Sequence, residues 1–358
     1  MLRRTFLANS LLLATRPALA SISGRIPIGL NTYCLRAMKW HDVPLLDYTA
    51  GLKLDAVFLQ DSLDPEAMEP AHWRKIKDYA RQLSLHLETG GPAILPKNPE
   101  AFDASVRSLT QAAERAAGLG SPIVRSLVAS DRDHLPLGTP DQHIETTIRV
   151  LKAVRSKVMD LGIKIAIENH KDLQCFETRQ VIEGAGPEFV GSYLDTGNPV
   201  FVLENPMTTL ETLGPYAVTL HLRDTAIYEH PRGVAVQWVP LGEGVVDFKA
   251  IVARAREICP PLHIYIKPIT GRPPQVLPYL EPEYWRRIPK SRAADLASFI
   301  ALAKKGLPYD KPMVIEDLQN SPVQKQFVEA VQYQQREHME RSVEYAKKTL
   351  DLGVRWRA

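Results

Sequence analysis

The sequence predicts an α/β protein built as a single (β/α)8 barrel, and three observations carry that expectation. Eight short apolar or β-branched runs alternate with amphipathic helical stretches, and such alternation gives a parallel sheet because parallel neighbours need a crossover connection. Eight units suit a closed barrel better than an open sheet. The first strand leads into Gly29-Leu30-Asn31-Thr32-Tyr33, not into the G-x-G-x-x-G phosphate turn that a doubly wound fold places there. The 358 residues are long for one domain, but barrels routinely exceed ~200 residues.

In chain order, residues 1–20 read as an export signal. Arg3-Arg4 precedes the apolar Leu11-Leu12-Leu13-Ala14 and the small-x-small ending Ala18-Leu19-Ala20. Arg3-Arg4-Thr5-Phe6-Leu7 resembles the twin-arginine signal, so cleavage near Ala20 and a periplasmic or otherwise exported location are expected. The barrel is expected over 21–307. Its strands are read at Ile26–Tyr33, Ala56–Gln60, Leu85–Thr89, Ile123–Val128, Ile163–Glu168, Phe189–Asp195, Ala217–His221 and Leu262–Pro268. Intervening helices include Trp73–Leu83, Phe102–Ala117, Thr146–Leu161 and Phe248–Cys259. The Pro- and aromatic-rich insertion 270–292 follows strand eight, so it is expected over the C-terminal mouth of the barrel, where active sites sit; packing against a second subunit of a homo-oligomer is the alternative. Residues 308–358 give a linker, Pro308–Pro322, and a C-terminal helix, Val323–Leu352, read as a solvated outer clasp.

Composition narrows the function. The chain has 44 Lys plus Arg and 41 Asp plus Glu, and removal of Arg3, Arg4 and Arg16 with the signal leaves 41 against 41. That balance offers no surplus for a phosphate backbone, so nucleic acid is not the expected partner. No apolar run reaches the ~18 residues of a membrane span. Cys34, Cys175 and Cys259 are too few and too scattered for a disulfide framework or a zinc cluster, and are read as inert thiols.

The chemistry lies at strand ends. Strand five ends Ile165-Ala166-Ile167-Glu168, strand six Tyr193-Leu194-Asp195, and strand seven Val218-Thr219-Leu220-His221. Residues two apart share a face. With Ile165, Ile167, Leu194, Val218 and Leu220 toward the helices, Glu168, Asp195 and His221 point into the mouth. Two carboxylates and an imidazole are a sensible ligand set for one divalent ion (Mn²⁺, Co²⁺, Zn²⁺ or Mg²⁺) with open positions.

These pieces, Ile167-Glu168-Asn169-His170, Leu194-Asp195-Thr196-Gly197-Asn198, His221-Leu222-Arg223-Asp224 and Pro240–Phe248, resemble the xylose-isomerase-like TIM barrel family of sugar phosphate isomerases and epimerases. That family also contains metal-dependent abasic-site endonucleases. The resemblance implies that Glu168, Asp195 and His221 bind the metal and that Glu168 is also an acid/base. It implies a fourth ligand, a Glu closing strand eight that serves as the second acid/base. Here the chain departs from the pattern: strand eight reads His263-Ile264-Tyr265-Ile266-Lys267, and Lys267 stands at the Glu position, facing inward. Three outcomes follow: a three-ligand metal site, a lysine base whose pKa the metal and desolvation lower, or Lys267 paired directly with Glu168 or Asp195.

The family reaction is proton abstraction beside a sugar carbonyl, giving an enediolate whose charge the metal stabilises. Export favours a non-phosphorylated sugar or keto-glycoside as substrate, for isomerisation, epimerisation or β-elimination. Glu168 and Lys267 are the candidate catalytic residues. Glu88, Arg125, His170, Asn198 and Arg223 are the candidates for binding hydroxyl groups. The alternative is an exported carbohydrate-binding barrel without catalysis, in which Lys267 replaces the metal ligand. An abasic-site nuclease is disfavoured by the neutral charge and the export signal.

Overall fold

The computed structural model describes residues 24–60, 69–316 and 327–357; the export signature and part of the final linker lie outside them. Eight parallel strands close into a barrel: β1 (Ile28–Asn31), β2 (Ala56–Leu59), β3 (His86–Ala93), β4 (Ile123–Leu127), β5 (Lys164–Glu168), β6 (Val190–Asp195), β7 (Ala217–Leu222) and β10 (Ile264–Ile266), with β10 joining β7 to β1. Outside them lie α1 (Val43–Gly51), α2 (Pro70–Gln82), α3 (Phe102–Leu119), α4 (Pro140–Asp160), α5 (Cys175–Ala185), α6 (Pro206–Leu213), α7 (Phe248–Ile258) and α8 (Ala293–Ala303). Alternation within each strand divides the apolar residues. Ile165, Ile167, Leu194 and Leu220 join the large cluster under the helices, while Ala56, Phe58, Ile123, Ala166, Tyr193 and Tyr265 fill the barrel. Small residues make room for the large ones. A Cβ on Gly29 would stand 2.4 Å from the Ala56 carbonyl oxygen and 2.7 Å from the Tyr265 ring, so only glycine lets that ring lie flat across the barrel.

Local rules corrected several boundaries. Helix α4 starts at Pro140, ahead of the expected Thr146, because Thr139 and Gln142 form a capping box and Pro140 takes the first turn. Strand β3 runs on to Ala93, past the expected end at Thr89. A register shift between Ser192 and Tyr193 turns Val218 into the barrel against the inner cluster, where alternation alone had placed it outside.

A three-stranded antiparallel sheet was not expected. Strands β8 (Asp224–His230) and β9 (Gly233–Val239) form a hairpin, and β11 (Gln275–Leu277), from the insertion after β10, pairs with β9. Gly233 has φ +149° at the turn, and a Cβ there would lie 2.3 Å from the Leu277 carbonyl oxygen, so glycine permits both the turn and the pairing. The insertion is thereby held against the barrel mouth. Helix α9 (Val328–Lys348) is a packed clasp rather than a solvated one: Val331, Gln335, His338, Met339 and Val343 are buried. Gln335 donates to Glu316 at 2.8 Å, and Glu316 in turn pairs with Arg36 at 2.7 Å. The three cysteines are buried and free, and burial pushes the Cys34 and Cys259 thiols up to about 12, as expected of inert thiols.

Candidate active site at the barrel mouth

Glu168 closes β5, Asp195 closes β6, and Lys267 follows β10, so three strand ends bring two carboxylates and an ammonium together. Lys267 Nζ lies 2.9 Å from Glu168 Oε1, 2.9 Å from the Tyr193 hydroxyl and 3.0 Å from Asp195 Oδ2. The other Glu168 oxygen pairs with Arg125. Asn198 Nδ2 donates to Glu168 Oε1 at 3.1 Å, while its Oδ1 accepts from Arg223 at 3.0 Å. Arg223 also pairs with Asp195 Oδ2 at 3.0 Å, and Asp195 Oδ1 accepts the Gly197 and Asn198 amides at 2.8 and 3.1 Å. Asn169 ties the two carboxylate strands together, exchanging hydrogen bonds of 2.7 and 2.9 Å with the Asp195 backbone.

The electrostatics follow from burial. Burial alone raises the Glu168 carboxyl, but Arg125 and Lys267 outweigh it and hold its pKa well below the usual range. Burial, reinforced by Arg223, lowers the Lys267 pKa against the pull of Glu168 and Asp195. Burial and then Lys267 drive the His221 pKa far down, so its ring is neutral. That ring stacks on Tyr193 at 3.8 Å and on Tyr265 at 4.8 Å, with Nε2 3.3 Å from the Thr219 hydroxyl.

The residues at the mouth do not fit a divalent ion. The Lys267 ammonium already stands between the two carboxylates. His221 is the register partner of Asp195, but its ring is stacked with Tyr193 and Tyr265. The three side chains do not bring ligand atoms within 4.8 Å of one another, so the expected Glu168, Asp195, His221 triad does not stand at ligand spacing. With Arg125 and Arg223, three fixed cations already face two carboxylates, and an added divalent charge would be strongly repelled. Among the described residues, one group offers donor atoms within 4.8 Å of one another: His86, Glu88 and His263. It lies lower in the barrel. Its imidazoles stack 4.0 Å apart at 2°, so their in-plane lone pairs run parallel and one ring must turn before both can meet an ion.

The remaining candidates divide by depth. Arg125, His170, Arg223 and Lys267 line a mouth cavity of about 1150 Å³. His170 directs Nδ1 at the Ser130 carbonyl, which leaves the Nε2 lone pair bare, and burial lowers its pKa to about 4. Asn198 is fully buried behind the cavity as the bridge between Glu168 and Arg223. Glu88, expected to bind substrate, lies below the mouth near His86 (3.5 Å), Thr219 and Tyr265, with burial raising its carboxyl. Strand β3 extends beyond it to Ala93 and sets its depth. The sequence reading missed Tyr193, whose signal was its place two residues before Asp195. It also missed Lys171, Trp238 and Arg272 in the cavity wall, which carry no motif.

The sequence model of the family described as Xylose isomerase-like TIM barrel matches residues 46–259. Among curated proteins, the 3-oxo-isoapionate decarboxylase of Pectobacterium atrosepticum is 26% identical over 233 residues, covering 63% of this chain and 78% of that one. The uncharacterized Escherichia coli protein YihM is 28% identical over 99 residues, 28% of this chain and 30% of that protein's length. Two solved structures share the fold: a D-psicose 3-epimerase in the presence of D-fructose (TM-score 0.59, 14% identity, 91% of this chain and 99% of that one) and the IOLI protein with a zinc atom (TM-score 0.56, 13% identity, 79% and 100%).

Proposed function

The chain belongs to the xylose isomerase-like TIM barrel family, and on that premise we propose that it forms an enolate beside the carbonyl of a sugar-derived substrate, with fixed side-chain cations rather than a metal facing the developing charge. One observation carries this reading: Lys267 Nζ sits within 3.0 Å of Glu168 and Asp195, with Arg125 and Arg223 beside them, at the floor of an open cavity. Oriented cations in a largely dry site stabilise an oxyanion without having to reorganise during the reaction.

The enolate can arise in two ways. Isomerisation or epimerisation removes a proton, and Glu168 is the candidate acceptor; in the structure its oxygens are engaged by Arg125, Asn198 and Lys267 and must be released first. The bare Nε2 of His170 is a second acceptor at the cavity wall. Loss of CO₂ from a 3-oxo acid requires no base: the C–C bond breaks, its electron pair becomes the enolate, and a proton from solvent replaces CO₂. This second reading is favoured by the tied-up state of Glu168 and by the decarboxylase relative. The deciding experiment supplies the mature protein with neutral ketoses in D₂O and, separately, with 3-oxo sugar acids. Deuterium entering the ketose shows proton abstraction, and CO₂ release shows decarboxylation. Failure of both leaves the non-catalytic binding barrel.

We further place the protein outside the cytoplasm, from Arg3-Arg4-Thr5-Phe6-Leu7 and Ala18-Leu19-Ala20. Replacing Arg3 and Arg4 by lysine is expected to retain precursor inside the cell, read by fractionation and immunoblotting. Normal delivery of the shortened form would overturn the twin-arginine reading.

A further inference from the structure

We infer that the ligand of the mouth is an anionic sugar derivative, a sugar acid whose carboxylate is gripped by Lys171 and Arg272 at the outer part of the cavity. The inference rests on the mouth being the reaction site and adds the class of molecule it takes. Among the described residues, six cations line the cavity: Arg125, Lys171, Arg223, Lys267, Arg272 and Arg287. Against them stand Asp131 and Asp133 on the wall and Glu168 and Asp195 behind it.

Most of these charges are already paired. Arg125, Arg223 and Lys267 serve Glu168 and Asp195, and Arg287 pairs with Asp133 at 3.0 Å. Asp131 spends one oxygen on the Asp133 and His134 amides, at 2.9 and 3.1 Å, and on the His134 ring. Its other oxygen is 3.9 Å from Lys171 Nζ, beyond hydrogen-bond length. The Arg272 guanidinium reaches the Tyr33 hydroxyl at 3.4 Å, and its buried Nε has no acceptor. Among the described residues, Lys171 and Arg272 are therefore the two mouth cations without a carboxylate at hydrogen-bond distance; Asp131 stands 3.9 Å from Lys171 and Glu316 acts on Arg272 from farther off.

They also strain against their neighbours. Burial, followed by repulsion from Arg223, Arg272 and Arg287, lowers the Lys171 pKa despite Asp131. A bound carboxylate would relieve that repulsion, and the planar guanidinium of Arg272 suits it. Lys171 Nζ lies over the Phe201 and Trp238 rings at 5.4 and 5.8 Å, and Arg223 stacks on Trp238 at 4.3 Å, so aromatic faces hold these cations in the cavity wall. Neutral sugars leave the rim charges unanswered.

The test uses the mature protein and isothermal titration with D-gluconate, D-glucose and D-glucose 6-phosphate. Gluconate has no reacting carbonyl, so its binding reads the grip alone, whether or not the protein forms an enolate from any substrate. Gluconate is expected to bind at least tenfold more tightly than glucose and to weaken as salt rises. Arg272→Gln and Lys171→Gln, on separate loops, are each expected to weaken gluconate ten- to a hundredfold and leave glucose unchanged, as loss of a charge-assisted contact does. Equal affinity for gluconate and glucose, or gluconate affinity unmoved in both variants, overturns the inference. Tighter binding of glucose 6-phosphate than of gluconate overturns the assignment to a carboxylate in favour of a phosphate.

Discussion

Lys267→Glu is expected to turn a metal-indifferent barrel mouth into one whose stability depends on a divalent ion. In the wild type, Lys267 lies 2.9 and 3.0 Å from Glu168 and Asp195 and is almost fully buried. Reversing its charge sets three buried carboxylates against Arg125 and Arg223 alone. Breaking a buried ion pair from one side typically costs about 3–5 kcal/mol, and a like charge in place of the partner does not reduce that. In EDTA the variant should therefore melt well below the wild type. Mn²⁺ or Co²⁺ should restore part of the loss, about 2.7 kcal/mol at a hundredfold excess over Kd, because three carboxylate side chains at strand ends suit such ions. Thermal melts in EDTA and in Mn²⁺, with His86→Ala present in both proteins to remove the lower His/Glu group, give the comparison. A wild-type mouth that already gains stability from Mn²⁺ would sink the lysine-for-metal reading.

Glu168→Gln should separate the two routes to the enolate. If Glu168 takes the proton, exchange of a ketose C–H with solvent should fall ~10²- to 10⁴-fold, the range for loss of a general base. Loss of CO₂ from a 3-oxo acid needs no base and should fall much less. Glutamine keeps the shape but removes the charge that Arg125 and Lys267 share, so unfolding stability should drop by about 3–5 kcal/mol as well. Rates must be measured at a temperature where circular dichroism shows the variant folded. A ketose exchange rate unchanged by Glu168→Gln would transfer the proton-acceptor role away from this carboxylate, with His170 next in line.

The sequence by itself determined the barrel and the direction of its key side chains. Period-two alternation is a local property of a strand, and turns and caps are local too, so eight strand positions and the inward aim of Glu168, Asp195, His221 and Lys267 could be read without a partner in view. The replacement of the family's glutamate by Lys267 was legible for the same reason. Depth and pairing were not local. How far Glu88 lies below the mouth depends on β3 running on to Ala93. Which way the His221 ring faces depends on Tyr193 and Tyr265, which come from other strands. Which groups Lys267 meets was decided by tertiary structure, because only the closed barrel brings Nζ, Glu168, Asp195 and the Tyr193 hydroxyl within hydrogen-bond reach. The cationic rim belongs to the same class: Lys171 and Arg272 sit on loops far apart in the chain and carry no motif. Their shared surplus of charge arises only where the β8–β9–β11 sheet and the β10 insertion fold over the mouth. Short-range rules can set a side chain's direction, but the charges it meets are set by chain closure.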